Sequence, residues 1–234
     1  MAQIFKDEVV IFDLDDLLYK EFDFMRSGFW AVAKVVSEKE PKKLFRQMMV
    51  LYFSGNRVFD WLCQENFLGK SKHTLDSLLT IYRTHKPDIS ISDEVGAVLE
   101  KLKNNGNEIG LITDGRSVTQ RNKIEALGLN KWISDFIISE EFGFEKPSEK
   151  PFLYFMRKYD SKPFVYLADN YNKDFIAPNQ LGWRTIALAD NGLNIHSIND
   201  NLDSKYHPNE IVFSFLELEV KNFTITEYGG KRNS

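Results

Sequence analysis

The sequence predicts an α/β fold in which a parallel sheet is flanked by helices and interrupted once by an all-helical insert. Three features carry that prediction. Short apolar runs without polar alternation lie at 9–12, 109–112, 136–138, 164–167 and 185–188, as expected of strands covered on both faces. Helical patterns separate the later runs, and strand–helix alternation implies crossover connections in a parallel sheet. Between residues 19 and 86 this rhythm stops, and no convincing strand occurs there.

Taken in order, "VVIF" is the first strand, followed by a segment whose helical stretches are 26–39, 41–53, 58–65 and 74–84, with "FSGNR" as a break. Its aromatic residues Phe22, Phe24, Phe29, Trp30, Tyr52, Phe53 and Trp61 are expected to form the core of the insert, with Cys63 as a small core residue. After the insert, Val95, Val98, Leu99 and Leu102 recur at helical spacing, with Ser92 as the N-cap and Gly106 just past the end. "IGLI" is the second strand. The next helix opens on Ser117-Val118-Thr119-Gln120, a capping-box pattern, and closes before Gly128. Past Asp190 the chain is turn-rich, with a last strand at 211–213 and a loose tail in "TITEYGGKRNS".

Composition sets limits. A chain of 234 residues with 43% hydrophobic and 14% aromatic content can bury a proper core. A net charge of −4 lacks the basic excess of a general nucleic-acid binder. One cysteine permits neither an intrachain disulfide nor a thiolate metal cluster, and the four histidines show no metal-ligand spacing. The N-terminal stretch "MAQIFKDEVVIF" has no secretory pattern, and no apolar run reaches membrane-spanning length. The expectation is a soluble cytoplasmic protein, monomer or homodimer, with neither nucleic acid nor membrane as partner.

The stretch "VVIFDLDDLL" places three carboxylates directly after a buried strand, where like charges repel and resist desolvation. Ligands of open parallel sheets bind beyond the carboxyl ends of the strands. Asp13 and Asp15 follow the first run, Thr113-Asp114-Gly115 follows "IGLI", and Asp169-Asn170 follows "FVYLA". Side chains two apart in an extended segment share a face, so Asp13 and Asp15 should converge while Asp16 points away. Asp174 is expected one turn into the following helix. Clustered carboxylates suit a hard divalent cation such as Mg²⁺, which takes oxygen ligands together with substrate phosphate. A carboxylate beside such an ion can also attack phosphorus.

These motifs together resemble those of the haloacid dehalogenase (HAD) superfamily, in its phosphatase-like branch with a helical cap. "FDLDDLLY", "LITDG", "EKPSEKPF" and "LADNYNKD" stand in the family's order and strand contexts. The resemblance implies a Rossmann-like core of residues 1–18 and 88–234 and a cap of residues 19–87. Ala168 stands where the family usually has glycine, Asn170 where Ser or Thr is common, and Leu17 where Thr or Val is usual. None of these departures removes a reacting group.

Carried onto this chain, the resemblance implies Asp13 as nucleophile and Asp15 as general acid and base. Mg²⁺ would be held by Asp13, the Asp15 backbone carbonyl and Asp169, with Asp174 supporting. Thr113, Lys146 and the backbone around Asp114-Gly115 would bind the phosphoryl oxygens. Lys146 is preferred to Lys150 because it gives the family spacing to Phe152. Arg57, beside a break in the cap, and Arg116, after the second motif, are expected to influence specificity. The expected activity is Mg²⁺-dependent hydrolysis of a small phosphorylated metabolite through an aspartyl-phosphate. The alternatives are a phosphomutase using the same intermediate and a non-catalytic phosphate-binding protein. An acid at position 15 argues against dehalogenation, because a departing halide needs no proton.

Overall fold

The computed structural model describes residues 1–64, 73–195 and 203–227. Its centre is a six-stranded parallel sheet of β2 (Val9–Phe12), β3 (Ile109–Thr113), β4 (Asp135–Ile138), β5 (Phe164–Ala168), β6 (Arg184–Leu188) and β7 (Glu210–Val212), in the order β4-β3-β2-β5-β6-β7. All the pairings are parallel; Val10 faces Ile109 on one side of β2 and Val165 on the other. The chain thus leaves β2 toward β4, then returns to place β5 on the opposite flank. That reversal opens a crevice at the carboxyl ends of β2, β3 and β5. Strand β1 (Ala2–Ile4) pairs with β8 (Leu218–Val220) in a separate parallel ladder. Sequence periodicity gave neither, because three residues are too few to show a pattern.

Both faces of the central strands are covered by apolar side chains. Val10, Phe12 and Leu14 pack into one apolar cluster with helix α5 (Asp93–Asn105), whereas Val9 and Ile11 pack into another with helix α8 (Lys150–Lys158). This alternation is the period-two geometry of a strand buried on both sides. On β3, Gly110 is dictated by close approach: a Cβ there would lie 2.4 Å from the Phe155 ring and 2.7 Å from Ile11. Ser92 caps α5 by accepting from Val95 N–H, and Gly106 ends it at φ +82°, both as expected.

Among the described residues, four helices separate β2 from α5: α1 (Glu21–Val36), α2 (Pro41–Phe53), α3 (Val58–Gln64) and α4 (Leu75–Thr84). They bury Met25, Phe29, Val32, Leu44, Met48, Leu62 and Leu78 against one another, a third apolar cluster. The last residue of the expected 58–65 helix lies outside the described residues. Helix α1 starts five residues before its expected position because Asp16 accepts Glu21 N–H and so caps the helix from the preceding loop. Several core expectations fail. Phe24 joins the sheet cluster rather than the helical one, and Phe53 is 70% exposed. Cys63 is also exposed, because it is rotated by about 100° from the buried Leu62 on the same helix.

Two further expectations are corrected. Helix α6 (Ser117–Ala126) has no capping box: its N-terminal Ser117 N–H donates to Glu140 and Ser117 Oγ donates to Glu141, both in the short helix α7 (Ser139–Phe142). Gln120 is thereby left free for another role. The start of the expected loose tail is tied down, with Ile225 N–H donating to Asp7 and Thr224 bonded to Glu227; residues 228–234 lie outside the described residues. No described helix is long and apolar enough to cross a membrane.

Candidate active site

Asp13 continues β2, its N–H donating to Leu167 O of β5 at 2.9 Å. Leu14 turns into the core, so Asp13 and Asp15 emerge on the crevice side. The chain then reverses at Asp16, which has φ +55°. Asp16 does not point away from the site, as the alternation predicted, because that left-handed residue breaks the extended geometry. Its carboxylate is buried at the rim and accepts from Glu21 N–H and Ile195 N–H. The resulting cavity is about 100 Å³ and is lined by Asp13, Asp15, Asp16, Glu21, Thr113, Asp114, Asp169, Asn170 and Lys173.

The structure brings Asp13, Asp169 and Asp174 together, each offering a carboxylate oxygen within 4.8 Å of the others. Asp169 follows β5 directly. Asp174 lies not in a helix, as expected, but in the turn before helix α9 (Ile176–Gln180). There Asp174 Oδ2 accepts Asn170 N–H, which closes the turn. Lys146 Nζ lies 2.7 Å from Asp13 Oδ1, 2.8 Å from Asp174 Oδ1 and 3.2 Å from the Tyr166 hydroxyl. The Lys146–Asp174 contact is an ion pair without hydrogen-bond alignment, so Asp174 Oδ1 remains a buried acceptor with no aligned donor.

Electrostatics follow from this crowding. Burial pushes the Asp13 carboxyl up to about 7, even though Lys146 pulls it down. Burial, with the charges of Asp13 and Asp174 added, pushes Asp169 up to about 9. Burial opposes the Lys146 charge, but Asp13 and Asp174 outweigh it and hold the ammonium well above its usual range. Two buried carboxyls this reluctant to ionise, beside an Asp174 oxygen that lacks a donor, have the oxygen-rich character of a divalent-cation site. Asp15 contributes no carboxylate oxygen to the group, which leaves only its backbone carbonyl for a metal.

Asp15 is instead clamped from the core side. Its Oδ1 accepts from Lys123 Nζ at 2.7 Å and from the Tyr19 hydroxyl at 2.5 Å, and its Oδ2 accepts from Gln120 at 3.0 Å. Burial would raise the Asp15 carboxyl, but Lys123 and these hydrogen bonds outweigh it and hold it below its usual range. Gln120 also donates to Thr113 Oγ1 at 2.5 Å. Asp114 lines the cavity but is spent on structure, accepting Lys146 N–H and pairing with Lys173 at 2.7 Å. The Gly115 N–H, in the stretch expected to bind phosphoryl oxygens, donates to Ser139 Oγ at 2.9 Å. A Cβ on Gly115, which has φ +140°, would lie 3.2 Å from the Gln120 side chain.

Arg57 and Arg116 do not line the cavity. Arg57 is exposed and pairs with Asp60 at 3.3 Å, and Arg116 is exposed at the start of α6. Sequence reasoning missed Lys123, Gln120, Glu21, Lys173 and Asn194. A signal for two of them existed: Thr119, Gln120 and Lys123 form a buried polar stripe at helical spacing on α6. Asn194 had none. It reaches Asp169 Oδ2 at 2.9 Å from a loop that Asp190 folds by accepting the N–H groups of residues 192, 193 and 194.

A parallel sheet reversing at an acidic crevice, with a helical insertion after its first rim loop, defines an α/β protein of the Rossmann-like class. The chain belongs to the haloacid dehalogenase-like hydrolases, whose family pattern it matches over residues 10–188. It is similar to a glyceraldehyde 3-phosphate phosphatase of Methanopyrus kandleri, with 27% identity over 77% of this chain and 83% of the relative. A glyceraldehyde 3-phosphate phosphatase of Pyrococcus abyssi is 30% identical over 76% of this chain and 80% of its own. The fold is also that of a HAD phosphatase from Thermococcus onnurineus, with TM-score 0.57 and 19% identity over 90% of this chain and 95% of the other.

Proposed function

We propose that this protein is a Mg²⁺-dependent phosphatase that hydrolyses a small phosphomonoester through an aspartyl-phosphate on Asp13. The observation that carries this reading is the buried convergence of Asp13, Asp169 and Asp174 with Lys146 at the strand ends. Asp13, Asp169 and Asp174 would hold the ion, which when bound supplies positive charge for the phosphoryl oxygens. Lys146 would supply more, and Thr113 a hydroxyl. Such charge neutralisation and alignment are most of what phosphoryl transfer requires of a protein.

In the first step an Asp13 oxygen bonds to phosphorus as the ester P–O bond breaks, and Asp15 gives its proton to the departing alkoxide. In the second, Asp15 takes a proton from water as that water attacks phosphorus, which frees the Asp13 carboxylate and inorganic phosphate. The clamp of Lys123, Tyr19 and Gln120 favours the ionised Asp15 of the second step. Acting as an acid requires Asp15 to turn out of that clamp. Residues 19–87 would act as a cap that covers the crevice and excludes water during the first step.

Glyceraldehyde 3-phosphate, the compound in the names of the relatives, is the first substrate to try. The test is a panel of phosphorylated metabolites assayed for phosphate release with Mg²⁺ and with chelator. Release that requires Mg²⁺ is the expected result. Isomerised sugar phosphate without release would favour mutase chemistry, and no reaction with any compound would sink the catalytic reading.

A further inference from the structure

Resting on that phosphatase reading, we infer that Lys123 and Gln120 of helix α6 are positioning residues for the second step. They hold Asp15 in the orientation from which it takes the proton of the attacking water, so α6 sets how long the aspartyl-phosphate on Asp13 survives. Neither side chain lines the cavity, and both act through Asp15, which does.

An ionised carboxylate offers about four acceptor positions, two on each oxygen. Lys123 Nζ and the Tyr19 hydroxyl take those of Asp15 Oδ1, at 2.7 and 2.5 Å, and Gln120 takes one on Oδ2 at 3.0 Å. Among the described residues, nothing takes the other position on Oδ2. A base held this way has a single place to receive a proton. The hold is firm on the Lys123 side. Its side chain is 3% exposed, its ammonium lies 4.5 Å from the Phe24 ring centroid, and Asp15 is nearer to it than Glu21 is, which lies at 3.9 Å.

Gln120 links two parts of the site. It is buried, and its amide nitrogen donates both to Asp15 Oδ2 and to Thr113 Oγ1, the latter at 2.5 Å. The Thr113 hydroxyl, accepting there, keeps its own proton for a phosphoryl oxygen. One side chain thus fixes the acid–base carboxylate relative to the hydroxyl that would bind phosphate. A buried ion pair is a weak source of stability, so a packing role alone would be met as well by apolar side chains. The neighbouring Asn122 is engaged elsewhere, donating to the Thr84 and His85 carbonyl oxygens.

In the second step the water oxygen bonds to phosphorus, the bond from phosphorus to the Asp13 oxygen breaks, and the water proton passes to Asp15 Oδ2. The first step depends little on Asp15 when the leaving group needs no proton, as with p-nitrophenyl phosphate. With that ester, slowing the second step alone lowers kcat and KM together, leaves kcat/KM unchanged and lets phosphoenzyme accumulate. The experiment compares Lys123→Met, Gln120→Met and Asn122→Ala with the wild type, as full chains with Mg²⁺. Both methionine variants should lose about 10- to 100-fold in kcat, as expected for a misplaced acid–base group, with KM lower by the same factor. Each should release a burst of nitrophenolate approaching one per chain, and acid-quenched protein should carry phosphate on Asp13 by mass spectrometry. Asn122→Ala should behave as the wild type, and either methionine variant decides alone if the other does not fold. A fall in kcat/KM without a burst means structural support only and overturns the inference. An unmoved kcat, or an equal burst from Asn122→Ala, overturns it too. No phosphate release from any ester, p-nitrophenyl phosphate included, sinks the phosphatase reading, and the inference falls with it.

Discussion

The acidic rim and the helical insertion are built on opposite principles. The rim collects Asp13, Asp169 and Asp174 in a buried space, where Asp13 and Asp169 resist ionisation. The insertion collects Phe29, Val32, Leu44, Met48 and Leu78, with no such conflict. Phe29 packs edge-on to Tyr52 and Phe59 with centroids 6.1 and 5.9 Å away. The rim therefore holds local strain against a ligand, and the insertion contributes stability. Substitutions should separate these roles: those in the rim should cost activity and leave or raise stability, and those in the insertion the reverse.

The sharpest break would come from Asp13→Asn. It should lower turnover by on the order of 10⁴-fold or more, as loss of a nucleophile does, while the melting temperature holds or rises. Phosphatase activity in that variant, with deamidation excluded by mass spectrometry, would contradict the mechanism. In the insertion, Phe29→Ala should cost about 3–5 kcal/mol, the usual range for a buried aromatic, read by denaturant unfolding. If instead it left stability untouched and removed activity, the division between the two regions would fail.

The third prediction uses pH. Asp13 at about 7 and Asp169 at about 9 lie above the ordinary 3.8 of the carboxyl, so the metal-free native state holds protons that the unfolded chain releases. Its stability should then fall as pH rises from about 4 through about 9, with roughly 2–4 °C of melting temperature lost per kcal/mol. Mg²⁺ should remove much of that slope and release protons on binding, measurable by calorimetry in buffers of different ionisation enthalpy. A metal-free melting temperature flat across this range would remove the electrostatic half of the comparison. The smallest effect is expected outside both regions: Ser92→Ala at the α5 cap should cost about 1 kcal/mol and leave kcat/KM unchanged.

The sequence alone determined the strands from β2 to β7, the position of the helical insertion and the carboxylates at the strand ends. Those features are local: an apolar run, a helical period and a polar residue directly after a strand are written in consecutive residues. Asp169 was legible for the same reason, directly after a strand; Lys146 came only through the family resemblance, and Asp174 was expected in a helix where the structure has a turn. Only the tertiary structure decided that Asp15 is clamped by Lys123 and Gln120, that Gly115 N–H is spent on Ser139, and that Asn194 reaches Asp169 from a turn-rich loop. It also decided that Asp16 turns back onto the rim and that Arg57 and Arg116 stay outside the cavity. Each of these is a pairing between distant segments, fixed by where the packed sheet and helices deliver side chains, and no local pattern encodes that distance.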